Sequence, residues 1–152
     1  MPKDAVDNTL AVARRVLKTE IAGLTALAAE LNGRFSEAVN LMAAATGRVT
    51  VTGMGKSGHI ARKIAATFAS TGTPAQFVHP AEASHGDLGM IAAGDAVLAL
   101  SNSGETAELA DIVAYTRRFR IPLVAVTRRD GSALGGAADV TAHPGHDPQG
   151  AG

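Results

Sequence analysis

The sequence feature that most constrains the fold is a short apolar run that ends at a cluster of hydroxyl groups. Val-Leu-Ala-Leu at positions 97–100 is followed directly by Ser101-Asn102-Ser103-Gly104-Glu105-Thr106. A short apolar run followed at once by a helical pattern predicts a buried strand that leads into a helix. Free N–H groups and the dipole at the start of that helix, with the three hydroxyls, indicate a site for a phosphate or carboxylate. An ordinary helix N-cap, which needs only one hydroxyl, is the alternative interpretation.

The same alternation of apolar runs and helical patterns recurs along the chain. Strands are predicted at residues 48–53, 75–79, 95–100, 122–127 and 139–142, and helices at about 60–70, 105–119 and 132–137. This order predicts an α/β fold, a three-layer αβα sandwich with a parallel sheet of about five strands. In such folds the ligand lies beyond the carboxyl ends of the strands, which is where the turns after the first and third strands fall.

A long helical pattern precedes the first strand. Apolar residues recur at steps of three and four over residues 6–31, and Gly33 is predicted to end this helix. Ser36 is predicted to cap a second helix that runs to about Thr46. The apolar stripe of the first helix covers the sheet or packs on another subunit. We expect self-association through this helix, as a homodimer or homotetramer.

The chain is predicted to be one domain. Residues 1–46 supply N-terminal helices of that domain and residues 47–142 supply its core. Residues 143–152 are rich in Gly and Pro and are predicted to be a loose tail.

Composition narrows the choice of partners. The 14 basic and 14 acidic residues balance, and aromatic residues make up 3% of the chain, so neither nucleic acid nor a membrane surface is an expected partner. No apolar run is long enough to span a bilayer, and the N-terminus does not resemble a signal peptide. The absence of cysteine excludes disulfides and thiolate metal sites and indicates a reducing compartment. We therefore expect a cytoplasmic protein.

The glycine-rich stretch after the first strand matches two nucleotide-binding patterns only in part. Gly53, Gly55 and Gly58 fit the dinucleotide fingerprint, but no acidic residue ends the second strand to hold a ribose. A P-loop would need a glycine at position 50, which is Thr50. Both nucleotide interpretations are therefore disfavoured.

Longer motifs resemble the sugar isomerase (SIS) domain, and within it the arabinose-5-phosphate isomerases. These motifs are Gly53-Met54-Gly55-Lys56-Ser57-Gly58-His59, the stretches at 65–74 and 79–90, and Ser-Asn-Ser-Gly-Glu-Thr at 101–106. The resemblance covers roughly residues 10–142. It implies the SIS fold, a sugar phosphate as ligand and no cofactor. It also implies interconversion of D-ribulose 5-phosphate and D-arabinose 5-phosphate, a step toward lipopolysaccharide precursors.

The resemblance also implies roles for individual residues. The implied catalytic residues are Lys56, Glu108 and His85. The implied substrate contacts are Ser57, Gly72, Thr73, His79, His85, Ser101, Asn102, Ser103, Glu105 and Thr106. His79 also matches a family position tied to inhibitory zinc. The family's later catalytic glutamate and histidine, and its CBS domains, have no counterpart before Gly152.

Three classes of function stay open at this point. The chain is an isomerase, a phosphosugar-binding or regulatory module without turnover, or an inactive truncated chain. Glu105 and Glu108, three residues apart, are predicted to share one side of a first helical turn, where acidic residues also simply complement the helix dipole. We expect weak binding of a sugar phosphate and isomerisation at least about a thousandfold slower than in a complete enzyme.

Overall fold

A parallel sheet of five strands organises the chain. The computed structural model describes residues 3–143, with side chains from residue 8 onward. The strands are β1 (Val49–Gly53), β2 (Ala75–Phe77), β3 (Ala96–Leu100), β4 (Leu123–Val126) and β5 (Val140–Ala142). The helices are α1 (Lys3–Glu30), α2 (Gly33–Ala43), α3 (Gly55–Ser70), α4 (Pro80–Ala83), α5 (Ala110–Phe119) and α6 (Ala133–Ala137), with short 3-10 helices at Asp87–Met90 and Ala107–Leu109. The strand order is β2-β1-β3-β4-β5, and every neighbouring pair is parallel.

Alternate residues of the central strands supply two separate hydrophobic clusters. Val97 and Ala99 pack on one face of the sheet with Ile112 of α5. Leu98 packs on the other face with Ala61 of α3. Helices therefore cover both faces, which is why β3 is buried along its whole length and reads as a continuous apolar run. This confirms the predicted α/β fold with three layers and about five strands.

A single buried carboxylate lies where β1 and β3 begin. Asp95 is 4% exposed and accepts hydrogen bonds from the N–H groups of Arg48, at 2.7 Å, and Ala92, at 2.9 Å. A Cβ at Gly47 would collide with this carboxylate, so the position requires glycine. From this start the two strands pair residue by residue, from Val49 opposite Ala96 to Gly53 opposite Leu100.

Three predicted helix starts were wrong. Helix α3 begins at Gly55 rather than at about residue 60, because the Gly58 N–H already donates to the Met54 carbonyl. Helix α2 begins at Gly33, because the side chain of Asn32 accepts the Arg34 N–H and caps the helix one turn before Ser36. Helix α5 begins at Ala110 rather than residue 105, because the residues up to Thr106 form a turn and a 3-10 helix intervenes. Helix α2 also ends at Ala43, before Thr46.

Helix α1 confirms the predicted long N-terminal helix. The chain divides into two compact units: α1 belongs to the first, and the elements from α2 to β5 form the second. The domain boundary at residue 46 stays a prediction, and residues 144–152 of the predicted tail lie outside the described part of the chain. Within residues 3–143, no helix has both the length and the apolar character that crossing a membrane requires.

Candidate functional site

Three loops that carry predicted site residues leave the same edge of the sheet. Strands β2, β1 and β3 are parallel neighbours, so the loops after them emerge side by side at their carboxyl ends. Helix α3, after β1, packs on one face of the sheet, and α5, after β3, packs on the other. The chain therefore leaves the border between β1 and β3 in opposite directions, which opens the crevice where parallel α/β sheets bind their ligands.

The turn after β1, residues 54–58 (the glycine turn), is shaped by close backbone packing. A Cβ at Gly58 would lie 2.6 Å from the carbonyl oxygen of Gly53, so only glycine lets α3 approach β1 this closely. Gly55 has a φ of 54°, which glycine adopts at little cost. The N-cap residue Met54 makes no side-chain hydrogen bond to the helix, so the first N–H groups of α3 are left for a ligand.

Lys56 and Ser57 lie in this first turn of α3. Lys56 is exposed and Ser57 is partly buried. Within the described part of the chain, neither side chain forms a hydrogen bond or ion pair. Both are therefore available to a ligand at the helix N-terminus.

The turn after β3, residues 101–106 (the hydroxyl turn), is held by its own side chains. Ser101 is 3% exposed, and its Oγ lies 2.7 Å from the Thr106 Oγ1 and accepts the Gly104 N–H at 3.0 Å. Ser103 is exposed, and its Oγ accepts the Glu105 N–H at 3.1 Å. Asn102 is also exposed, and its carbonyl oxygen accepts the Arg128 N–H at 3.2 Å. Ser101 thus stabilises the turn from inside, and Ser103 and Asn102 face solvent.

Helix α6 supports the hydroxyl turn from behind. The carbonyl of Gly104 accepts the Leu134 N–H at 2.9 Å, and the carboxylate of Glu105 accepts the Ala133 N–H at 3.1 Å. A Cβ at Gly104 would collide with Ser132, which caps α6 by accepting the Gly135 N–H. Sequence reasoning missed this support, although Ser132 three residues before Gly135 is the local signal of a helix N-cap.

Glu105 and Glu108 have different environments. The prediction that they share the first turn of one helix was wrong, because Glu105 precedes the 3-10 helix that contains Glu108. The Glu105 carboxylate is bonded to α6, whereas Glu108 is exposed and has no side-chain partner among the described residues. Of the two, Glu108 has the free carboxylate.

The loop after β2 carries both predicted histidines. The Thr52 hydroxyl donates to the Val78 carbonyl at 2.7 Å and ties the end of β2 to β1. His79 is half-buried and caps α4, where its Nδ1 accepts the Ala81 N–H at 3.3 Å. In the neutral ring the proton therefore lies on Nε2. His85 is exposed in the turn after α4. Among the described residues no group of three or more His, Cys, Asp or Glu side chains could hold a metal ion.

Gly72 and Thr73 lie elsewhere. They follow α3, whose N-terminus is at the carboxyl edge of the sheet, and they precede β2, so they lie at the opposite edge. Gly72 has a φ of 97°, and the Thr73 N–H donates to the Phe68 carbonyl at 2.9 Å, which is a common way to end a helix. Within one chain they do not join the other predicted site residues.

The loop between β4 and α6 carries a charged cluster. The carboxylate of Asp130 lies 3.0 Å from the Arg34 guanidinium and 3.1 Å from the Nε2 of His143. The hydrogen bond from Arg34, reinforced by His143, holds the pKa of Asp130 below its usual value. The cluster belongs to the loop that leads into α6.

The chain belongs to the SIS domain family, whose model matches residues 42–149. It is 51% identical over 127 residues to the arabinose 5-phosphate isomerase KdsD of Salmonella typhi, an alignment that covers 84% of this chain and 39% of that protein. It is 52% identical over 128 residues to the KdsD of Pseudomonas aeruginosa, with the same shares covered. The chain thus spans 39% of the length of these curated relatives.

A solved structure of an Escherichia coli CFT073 protein, in complex with A5P, has the same fold. Its TM-score to this chain is 0.87 and its sequence identity is 36%. The superposition covers 95% of this chain and 76% of that chain.

Proposed function

We propose that this chain binds a sugar phosphate at the crevice between β1 and β3 and serves the interconversion of arabinose 5-phosphate and ribulose 5-phosphate. The observation that carries the proposal is the pairing of Gly53 with Leu100, because it sets the glycine turn and the hydroxyl turn next to each other. The identity to KdsD isomerases and the similarity to a protein solved with A5P support this choice of ligand. By the same resemblance, the product serves lipopolysaccharide precursor synthesis.

The phosphate binds across the two turns. The uncapped N–H groups of α3 and the Ser57 hydroxyl approach it from the glycine turn, and Ser103 and Thr106 approach it from the hydroxyl turn. N–H groups at a helix N-terminus and several hydroxyls are the donors that phosphate oxygens accept. Ser101 positions Thr106 through the 2.7 Å contact between their hydroxyls.

The sugar extends from the phosphate toward the side chains of Lys56, His79, His85 and Glu108. Isomerisation moves one proton between C1 and C2 through an enediol, and a second proton between O1 and O2. Glu108 and His85, which are exposed at this edge and carry no side-chain partner in the described chain, act as proton-transfer groups. The Lys56 ammonium stabilises the oxyanion that develops at the carbonyl. His79, with Nε2 available, contacts the sugar.

Binding is tested by titrating the chain with arabinose 5-phosphate in a calorimeter. Replacing both Ser103 by Ala and Thr106 by Val is expected to weaken binding at least about tenfold, since each lost hydrogen bond to a charged group is costly. Ser36→Ala, an exposed serine on α2, is the matched control, and arabinose without phosphate is expected not to bind. Unchanged affinity in the double variant would refute the phosphate site.

Turnover is tested separately with the same chain. We expect Glu108→Gln and Lys56→Ala each to lower the rate of isomerisation by about 10²–10⁴-fold. Lys63→Ala, an exposed lysine further along α3, should leave the rate unchanged. Binding without measurable turnover in the unaltered chain would identify it as a phosphosugar-binding module.

We also propose that the chain is cytoplasmic and self-associates through α1. Leu17, Ile21 and Leu24 on α1 are 61%, 62% and 66% exposed, and with Leu10 and Leu31 they recur at intervals of seven, four, three and seven residues. Such spacing is typical of the contact stripe of paired helices. The absence of cysteine fits a reducing compartment.

Sedimentation of Leu17→Glu tests this interface. The unaltered chain should sediment as a dimer or tetramer and the variant as a monomer. Val12→Glu is the control, because Val12 is exposed on α1 outside the stripe. A monomeric unaltered chain at tens of micromolar would exclude this interface.

A further inference from the structure

A second cleft opens at the edge of the sheet opposite the two turns. It has a volume of about 580 Å³ and lies where β4 and β5 begin and α5 ends. Its lining includes Leu41, Arg117, Arg120, Ile121, Leu123 and Asp139. This volume is in the range of sites that hold small molecules, and such sites combine an apolar surface with a few convergent polar groups.

The polar groups of the cleft are mostly unpaired. Among the described residues, no hydrogen bond or ion pair involves the guanidinium of Arg117 or of Arg120. Asp139 lines the same cleft, but its Oδ2 accepts the Leu123 N–H at 2.8 Å, which leaves its other oxygen as an acceptor. The cleft thus offers two planar cationic forks, one free carboxylate oxygen and an apolar wall.

The backbone at Arg120 adds an independent observation. Arg120 has a φ of 53° and is the only non-glycine residue with a positive φ among those the structure describes. The position ends α5, where glycine or asparagine is the usual residue. Attraction to the helix dipole accounts for basic residues in the last turn, such as Arg117 and Arg118, but does not require an arginine in this strained conformation.

We propose that this cleft is a second binding site, for a small polyhydroxy anion that carries a phosphate or carboxylate. The forks of Arg117 and Arg120 bind the anionic group in bidentate fashion. The free oxygen of Asp139 accepts a hydrogen bond from a ligand hydroxyl, and the partly exposed side chains of Leu41, Pro122 and Ala137 contact the carbon chain. The site includes no residue of the two turns, so its test is independent of the test of the isomerase proposal.

The test follows backbone amide NMR signals while 6-phosphogluconate is added to the ¹⁵N-labelled chain. This probe carries a phosphate, a carboxylate and several hydroxyls, and glucitol serves as the uncharged control. We expect the amides of Ile121, Leu123 and Asp139 to shift in a saturable manner, and glucitol to leave them unchanged. Shifts confined to residues 54–58 and 101–106, or no shifts, would overturn the proposal.

Three variants decide whether the arginines bind the probe. Arg117→Gln combined with Arg120→Gly is expected to weaken binding at this cleft by at least about tenfold. Arg120→Gly alone should weaken it in the same direction while relieving the backbone strain, so a folding defect in the double variant leaves the test intact. Arg118→Gln is the matched control, since Arg118 does not line the cleft and lies over the Phe119 ring. Equal weakening by Arg118→Gln would show general charge attraction and would overturn the assignment.

Discussion

The glycine turn and the hydroxyl turn lie side by side, but different forces hold them. The glycine turn is set by close backbone packing, in which the missing Cβ of Gly58 lets α3 touch β1. The hydroxyl turn is set by polar side chains, because Ser101 bonds to Thr106 and Gly104 while Glu105 bonds to α6. As a result, the Lys56 and Ser57 side chains on the glycine turn are free to contact a ligand. Several polar groups of the hydroxyl turn instead form the hydrogen bonds that keep the turn in its conformation.

The largest effect is expected at Gly104, which lies between the hydroxyl turn and its support. Gly104→Ala places a Cβ against Ser132 at a φ of 71°, so it combines a steric clash with backbone strain. We expect the free energy of unfolding to fall by about 3 kcal/mol or more in urea denaturation. Gly136→Ala in α6 is the control, because no atom lies within 4 Å of its added Cβ and alanine favours helices. Equal stability of the two variants would mean that α6 does not hold the turn.

Two serine variants compare directly how much a side chain of each turn contributes to stability. Ser101→Ala removes the acceptor of the Gly104 N–H and the partner of Thr106, so we expect a loss of about 1–3 kcal/mol in the free energy of unfolding. Ser57→Ala should change stability by less than about 0.5 kcal/mol, since its hydroxyl has no described partner. Thermal unfolding of both variants measures this difference, and similar losses would remove the distinction between the turns.

The two glutamates should respond oppositely in stability and turnover. Glu105→Ala is expected to lower the free energy of unfolding by about 1 kcal/mol, because the Ala133 N–H loses its acceptor. The loss of a helix N-cap has a similar effect. Glu105→Gln keeps an oxygen acceptor and should therefore lose less stability than Glu105→Ala. Glu108→Gln should leave the unfolding temperature unchanged and lower only the rate of isomerisation. A large stability loss in Glu108→Gln would contradict its assignment as a free carboxylate.

The smallest expected effect is on the free energy of unfolding at acidic pH. Folding lowers the pKa of Asp130, so this carboxylate stabilises the folded chain above the usual Asp value of about 4. The stabilisation is lost as pH falls through the lowered pKa. Because the Asp130 side chain is 52% exposed, solvent screening limits the effect to a few tenths of a kcal/mol. Comparing urea unfolding of Asp130→Asn and the unaltered chain between about pH 5 and pH 2.5 should show a smaller acid loss in the variant.

The local pattern of the sequence predicts most of the sheet but not the support of the site. Buried strands such as 97–100 are recognisable because both faces of a parallel sheet are covered and apolar residues run without interruption. The start of α5 is not recognisable from the sequence, because the hydroxyls of Ser101 and Ser103 form hydrogen bonds within the turn rather than to the helix. The contacts from Glu105 to Ala133 and from Arg34 to Asp130 join residues far apart in sequence, and no local periodicity encodes them.

The buried Asp95 at the start of β1 and β3 has a consequence for the opposite end of these strands. By holding the N–H groups of Arg48 and Ala92, this one carboxylate fixes the height at which each strand starts. A strand advances about 3.3 Å per residue, and only a slip of two residues keeps each side chain on its own face of the sheet. Such a slip would displace one turn from the other by about 7 Å, more than twice the length of a hydrogen bond. The alignment of the two turns that form the proposed anion site is therefore set a full strand length away, by the buried Asp95.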